Sequence, residues 1–195
     1  MRHACSGQFF QKNIFDPLEM HDTGFQVPED KIDRFAALYA TGEDGHLVLA
    51  DDPKNSPYTN GTYFPRGNGG LTSTPTDYFH FAQMLLNGGE YNGQRLLHGE
   101  TIELMSRNLL PKEHVPINVG GNEMPGHGFG LGFGVLVDDP PFGTAGDFFW
   151  PGAVFTYFYV SPQNGTVAVF MTQLFDLSKI HLIGEFHGLA DNVFK

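Results

Sequence analysis

The sequence predicts an α+β fold with helices first, then antiparallel strands, then one closing helix. Three observations carry this. A capped amphipathic stretch runs from Pro75 to Asn87-Gly88-Gly89. Bulky residues alternate with glycines from Phe129 to Val135, and apolar runs flank Ser161-Pro162-Gln163-Asn164-Gly165. Ile180, Ile183, Phe186, Leu189 and Val193 then return to helical spacing.

Taken in order, Phe9, Phe10, Ile14 and Phe15 predict a short helix within Gln8 to Leu18, stopped at Asp16-Pro17 because a proline ring disfavours helical geometry in the residue before it. Glu29-Asp30 followed by Ile32, Phe35, Ala36, Leu38 and Tyr39 predicts a second amphipathic helix, its acids at the positive N-terminal end and Gly42 just past its finish. Thr41 to Asn68 reads mostly as loop, with a weak apolar run at Leu47 to Ala50. At Ser73-Thr74-Pro75-Thr76-Asp77 a helix starts: Thr74 caps, Pro75 fits the first turn, and Asp77 can return a bond as in a capping box. Tyr78, Phe81, Ala82, Leu85 and Leu86 form its apolar face. Tyr91 to Arg95 reads as a tight turn, and Gly99 to Ser106 as a helix with Ile102, Leu104 and Met105 inward, followed by loop to Gly126. Phe129 to Val135 reads as one strand. Val154 to Val160 and Thr166 to Thr172 read as a hairpin, and the terminal helix is expected to cover the three-stranded sheet with its apolar face.

The 195 residues suit one domain, residues 1–126 mainly helical and loop and residues 127–195 strands and terminal helix, and 41% hydrophobic content supplies a core. The net charge of −11 repels phosphate backbones and anionic lipid, which argues against nucleic-acid and membrane partners. No run approaches the roughly 20 apolar residues of a membrane span. As written, without an apolar leader, the chain reads as cytoplasmic, although a signal could precede it. Cys5, the only cysteine, excludes an intrachain disulfide and a cysteine-based zinc site.

Asn13-Ile14-Phe15-Asp16-Pro17-Leu18-Glu19-Met20-His21-Asp22-Thr23-Gly24-Phe25 resembles a segment of serine β-lactamase-related hydrolases that typically reads IFxPLGMxDTGF. Further matches follow in the family's order: Gly69 to Thr74 with Asp77-Tyr78, Phe81 to Gly89, Leu96-Leu97 to Met105, Gly128 to Val135, Thr156 to Pro162 and Val169 to Gln173. The resemblance implies the C-terminal part of the β-lactamase/transpeptidase-like fold, nearest to class C β-lactamases, penicillin-binding proteins and family VIII carboxylesterases. It also implies a small-molecule ester, lactam or peptide as ligand, and no cofactor. It leaves the oligomeric state open.

That chemistry uses Ser-x-x-Lys, in which the lysine one helical turn on helps take the serine's proton. No Ser-x-x-Lys occurs among Ser6, Ser56, Ser73, Ser106, Ser161 and Ser178, so no catalytic residue is assigned. Tyr58-Thr59-Asn60 spells the family's Tyr-x-Asn but precedes Gly61 in a Pro- and Gly-rich loop, and is read as a turn. The third motif survives as Trp150-Pro151-Gly152, the candidate substrate-binding segment, whose strand backbone lines the oxyanion side in the resembling enzymes. Pro151 removes a backbone donor there, and Phe155 stands where a small residue is common. An ordinary edge strand with a core tryptophan fits the same residues. The nine histidines lack metal-ligand spacing, and His181 and His187 read as solvated or capping. Asn60-Gly61-Thr62 and Asn164-Gly165-Thr166 read as turns. The expectation is therefore a β-lactamase-family hydrolase represented by its C-terminal part and inactive alone; the alternative is a non-catalytic binding module or remnant.

Overall fold

The computed structural model describes residues 6–63, 65–119, 121–137 and 142–193; Cys5 lies outside them. The α-helices among these are α1 (Ser6–Phe10), α2 (Pro75–Leu86), α3 (Gly99–Ser106) and α4 (His181–Val193). The strands are β1 (Leu38–Thr41), β2 (Leu47–Asp51), β3 (Glu90–Tyr91), β4 (Gln94–Arg95), β5 (Ile117–Val119), β6 (Asn122–Met124), β7 (His127–Phe129), β8 (Gly134–Leu136), β9 (Phe148–Pro151), β10 (Tyr157–Ser161), β11 (Thr166–Phe170) and β12 (Leu174–Phe175).

Side-chain alternation in β8 to β11 builds the centre. These strands and β7 form a five-stranded antiparallel sheet in the order β11-β10-β9-β8-β7, broader than the three strands expected. Successive residues point to opposite faces. Phe148, Phe158, Val160 and Val135 therefore join Ala82, Met84 and Leu85 of α2 in one core, whereas Phe149, Tyr157, Tyr159 and Leu136 meet Ile183, Phe186 and Ala190 of α4 in another. The predicted single strand from Phe129 to Val135 is instead the β7–β8 hairpin. Gly130 N–H bonds the Phe133 carbonyl at 2.8 Å, Gly132 takes φ 90°, and Leu131 is left outside on the turn. Strand β9 was read only at its end, Trp150-Pro151, and it lies inside the sheet between β10 and β8 rather than at an edge.

Helix α2 starts where expected, with the Thr74 hydroxyl accepting from the Asp77 N–H at 3.2 Å. The return bond of a capping box is absent, because the Asp77 carboxylate is taken by a distant segment: it accepts from the Asp22 N–H at 2.7 Å and the Thr23 hydroxyl at 2.9 Å. In α3, Ile102 is buried, but Leu104 faces solvent, against the expectation. Asn92 and Gly93, both with positive φ, close the β3–β4 hairpin as read.

The first segment is α1 continued by a π-turn, Gln11–Phe15, and ends at Asp16-Pro17 as expected. The predicted helix after Glu29-Asp30 is corrected. A 3-10 helix covers Glu29–Arg34, Phe35 turns extended at ψ 122°, and Leu38 to Thr41 become strand β1. Tertiary pairing overrides helical periodicity there: β1 lies between β2 and the remote β12, antiparallel to the first and parallel to the second. The regions read as loop therefore contain strand β2 and, before Gly126, the β5–β6 hairpin.

The terminal helix forms, but its expected packing is reversed in part. Leu189 and Val193 are 70% and 74% exposed, and Ile180 just before it 57%, whereas His187 and Asp191 are buried against the sheet. The tyrosines of β10 supply the reason: Tyr157 and Tyr159 present hydroxyls to α4, and these bond His187 Nδ1 at 2.9 Å and Asp191 at 3.0 Å.

Candidate functional site

Two of the segments that carry the family resemblance meet in space. Gly24 and Thr72 exchange backbone bonds of 3.0 and 2.8 Å, and Thr23 also bonds Ser73 at 2.7 Å beneath the buried Asp77 carboxylate. Beside this junction opens a cleft of ≈ 580 Å³ whose lining includes His21, Asp22, Thr23, Lys31 and Arg34. Asp22 bridges both cations, at 2.6 Å to Lys31 and 2.8 Å to Arg34. The Arg34 bond, then the Lys31 bond, hold its carboxyl below the ordinary 3.8. Because the folded pKa lies below the unfolded one, the ion pairs stabilise fully above pH 3.8 and are lost as pH falls through the folded value. Acid melts should show Asp22→Asn losing less stability than wild type below pH 3.8; identical profiles would remove the linkage.

The candidate segment Trp150-Pro151-Gly152 ends β9. Strand β8 pairs only with Phe148 and Phe149, so the chain from Trp150 onward runs past it with that edge open. Trp150 is half-buried on the α2 face, edge-on to Phe129 at 5.1 Å. Pro151 points to the opposite face and lines a largely apolar cleft of ≈ 960 Å³ with Phe142, Phe149, Tyr157 and Leu189. The Gly152 N–H is consumed by the Thr156 carbonyl at 2.6 Å. Phe155, buried in the same turn, adopts φ 58°, a left-handed conformation costing roughly 1–2 kcal/mol for a side chain of this kind. The three residues named together thus serve different surfaces: Trp150 the α2 face, Pro151 the α4 cleft, Gly152 the turn.

Ser56 is buried and donates to Asp51 at 2.7 Å, Ser73 pairs with Thr23, and Ser106 bonds the Ile102 carbonyl. Among the described residues no serine side chain bonds a lysine. Tyr58-Thr59-Asn60 is the turn expected, with the Thr59 and Asn60 N–H groups on the Ser56 carbonyl. Tyr58 stacks on Tyr63 at 4.3 Å, and burial first, then the Tyr63 bond, push its pKa up to about 12, so its phenol stays protonated at neutral pH.

Histidine 181 is exposed and lies 3.1 Å from the Ser178 carbonyl, in keeping with its reading. His187 departs from its reading: it is fully buried, 3.3 Å from Asp147 and 3.9 Å from Asp191, and stacks on Tyr159. The four-residue step from His187 to Asp191 places both on one helix face and was the available signal. Asp147 had none, since it is brought in from 40 residues away by the sheet.

The class this fold defines is an α+β protein whose antiparallel sheet is held between helical layers. Within it, the chain belongs to the beta-lactamase family, whose model matches residues 5–183. It is 33% identical over 173 residues to Protein Rv1367c of Mycobacterium tuberculosis (strain H37Rv), covering 85% of this chain and 43% of that protein. It therefore spans less than half the length of the curated relatives it matches. Among solved structures, the LovD6 mutant of simvastatin synthase from Aspergillus terreus superposes with TM-score 0.75 at 22% identity, over 99% of this chain and 52% of that one. EstCE1, a hydrolase with promiscuous acyltransferase activity, does so with TM-score 0.76 at 20% identity, over 97% and 50%. A penicillin binding protein from Bacillus halodurans gives 0.63 at 15%, over 96% and 48%. At these identities the likeness to solved structures establishes the fold.

Proposed function

We propose that this chain furnishes the C-terminal half of a β-lactamase-family acyl-transfer site for a small ester, lactam or peptide, and that it turns over no substrate until a Ser-x-x-Lys segment joins it. The observation that carries this reading is the pairing of a nearly full-length match, 99% of this chain on 52% of the LovD6 chain, with a sequence that contains no Ser-x-x-Lys. In this role the open edge at Trp150 borders the acyl group, and α2 with its Asp77 junction braces the sheet from behind. The Thr156 carbonyl already holds the Gly152 N–H. Oxyanion stabilisation in this role would come from donors other than the Gly152 N–H.

The test is direct. Purified protein given a chromogenic cephalosporin and a p-nitrophenyl ester is expected to show no turnover above buffer. Robust turnover that disappears on mutating one of the six serines overturns the proposal. The same protein reports binding through its single tryptophan. Titration with benzylpenicillin should change Trp150 emission if the edge binds an acyl ligand without the nucleophile, and that result would favour the second reading, a binding module.

A further inference from the structure

The face of the sheet opposite Trp150 carries a polar cluster that the proposed acyl-transfer role does not use. Asp147, His187 and Asp191 are buried together between the sheet and α4, each offering a ligand atom, and these atoms all lie within 4.8 Å of one another. We propose that they form a binding site for a first-row divalent metal ion, with zinc the best match.

The geometry supports a metal over a simple hydrogen-bonded core. His187 Nε2 and Asp147 Oδ2 are 3.3 Å apart. This is close to the edge of a tetrahedron of zinc ligands at about 2.0–2.1 Å from the ion. Each ligand is held from behind, as metal ligands generally are. His187 Nδ1 lies 2.9 Å from the Tyr157 hydroxyl. With Nδ1–H donating to that oxygen, the Nε2 lone pair is free for the ion. Asp147 Oδ2 accepts the Thr144 N–H at 2.9 Å, and Asp191 Oδ1 accepts the Tyr159 hydroxyl at 3.0 Å. A β-carbon at Gly143 would meet Leu136 Cδ1 at 2.5 Å and both Cε1 and Nε2 of His187 at 3.1 Å, so only glycine fits beside this edge of the ring.

Unmet bonding capacity points the same way. One carboxylate oxygen on each aspartate, Asp147 Oδ1 and Asp191 Oδ2, is buried without a hydrogen-bond partner among the described residues. So is the hydroxyl of Ser161. The β9–β10 register pairs Val160 with Phe148; one step further it sets Ser161 opposite Asp147, on the face of Tyr157 and Tyr159. Two buried carboxylates, with no lysine or arginine paired to either among the described residues, call for positive charge, and a protonated His187 balances only one of them. A divalent ion balances both and engages the free oxygens. Histidine nitrogen with carboxylate oxygen is a donor set that zinc accepts, and three protein ligands leave a fourth position for water or Ser161.

The experiment uses the whole chain and needs no enzymatic activity, so its outcome is separate from that of the functional proposal. Chelator-treated protein is titrated with Co2+, followed by visible d–d absorption, and then with Zn2+ to displace it. One equivalent should bind. Tyr157→Phe, which keeps the ring but removes the support of His187, should weaken binding about 10–100-fold. Asp191→Asn should weaken it at least as far. X-ray absorption of the wild-type zinc complex should show a single imidazole with oxygen neighbours at about 2.0 Å, which identifies the site even if a variant fails to fold. Absence of stoichiometric binding, a shell with two or more imidazoles, or unchanged affinity in both folded variants overturns the proposal.

Discussion

Replacing Phe158 by alanine is expected to cost about 3–5 kcal/mol, the range for deleting a large aromatic side chain from a packed core. Phe158 is 3% exposed and lies where the sheet meets α2, its ring 5.2 Å from Tyr78, 6.4 Å from Phe81 and 6.0 Å from Phe133. Tyr78 and Phe81 are carried by α2 and Phe133 by the turn before β8, so the rings around Phe158 are held by three separate elements of a close-packed interior and fill the space only at the cost of their own packing. For a chain of this length the loss lowers the melting temperature by roughly 6–20 °C. Urea and thermal unfolding of F158A measure it. A loss under about 1 kcal/mol would mean that the α2 face is not packed as described.

Gly89→Ala should be nearly as damaging, for a different reason. Gly89 follows α2 with φ 96°, and a β-carbon there would sit 2.1 Å from the Leu97 carbonyl oxygen, a backbone atom that cannot rotate away. Leu96 and Leu97 both donate to the Gly89 carbonyl, so relief of the clash would also break the join between α2 and the β3–β4 hairpin. The conformational penalty and the displacement together come to about 3 kcal/mol. Gly88→Ala is the matched control. Its φ is 66°, but the nearest atom to an added β-carbon is 3.9 Å away, so only the backbone penalty of about 1 kcal/mol applies. Equal losses in the two variants would show that the close approach of Leu97 contributes nothing.

Legibility follows the range over which each residue finds its partner. Helix α2 was readable because Thr74, Pro75 and Gly88-Gly89 act on their own backbone neighbourhood, and the turn at Ser161 to Gly165 for the same reason. Asp77 was misread because the one local donor for its carboxylate, the Thr74 N–H, lost to the Asp22 N–H and the Thr23 hydroxyl, 55 and 54 residues away. Strand β1 was hidden because helical spacing in Ile32 to Tyr39 says nothing about a remote partner. At Glu19 the resembling pattern carries glycine, and the structure shows why: the backbone there takes φ 57°. Trp150-Pro151-Gly152 was found through the resemblance, but which face each residue serves required the register of β9. The inward-facing histidine and aspartate of α4 contradicted an apolar stripe, since their polar partners come from other strands.

Strand β1 has one more implication, for the order in which the molecule can be made. Its partner β12 follows almost the whole sequence later, and Thr41 reaches Asp176 across 135 residues to lock the join at 2.6 Å. During synthesis the β1–β2 hairpin leaves the ribosome long before Phe175 exists. Tyr39 and Ala40 of β1 then face an unfilled strand position, and Leu47, Val48 and Leu49 of β2, exposed even in the finished fold, lie on the other side of β1. Closure of so distant a contact is slow to search. The nascent chain therefore cannot complete the β12-β1-β2 sheet until Leu174 and Phe175 have been made.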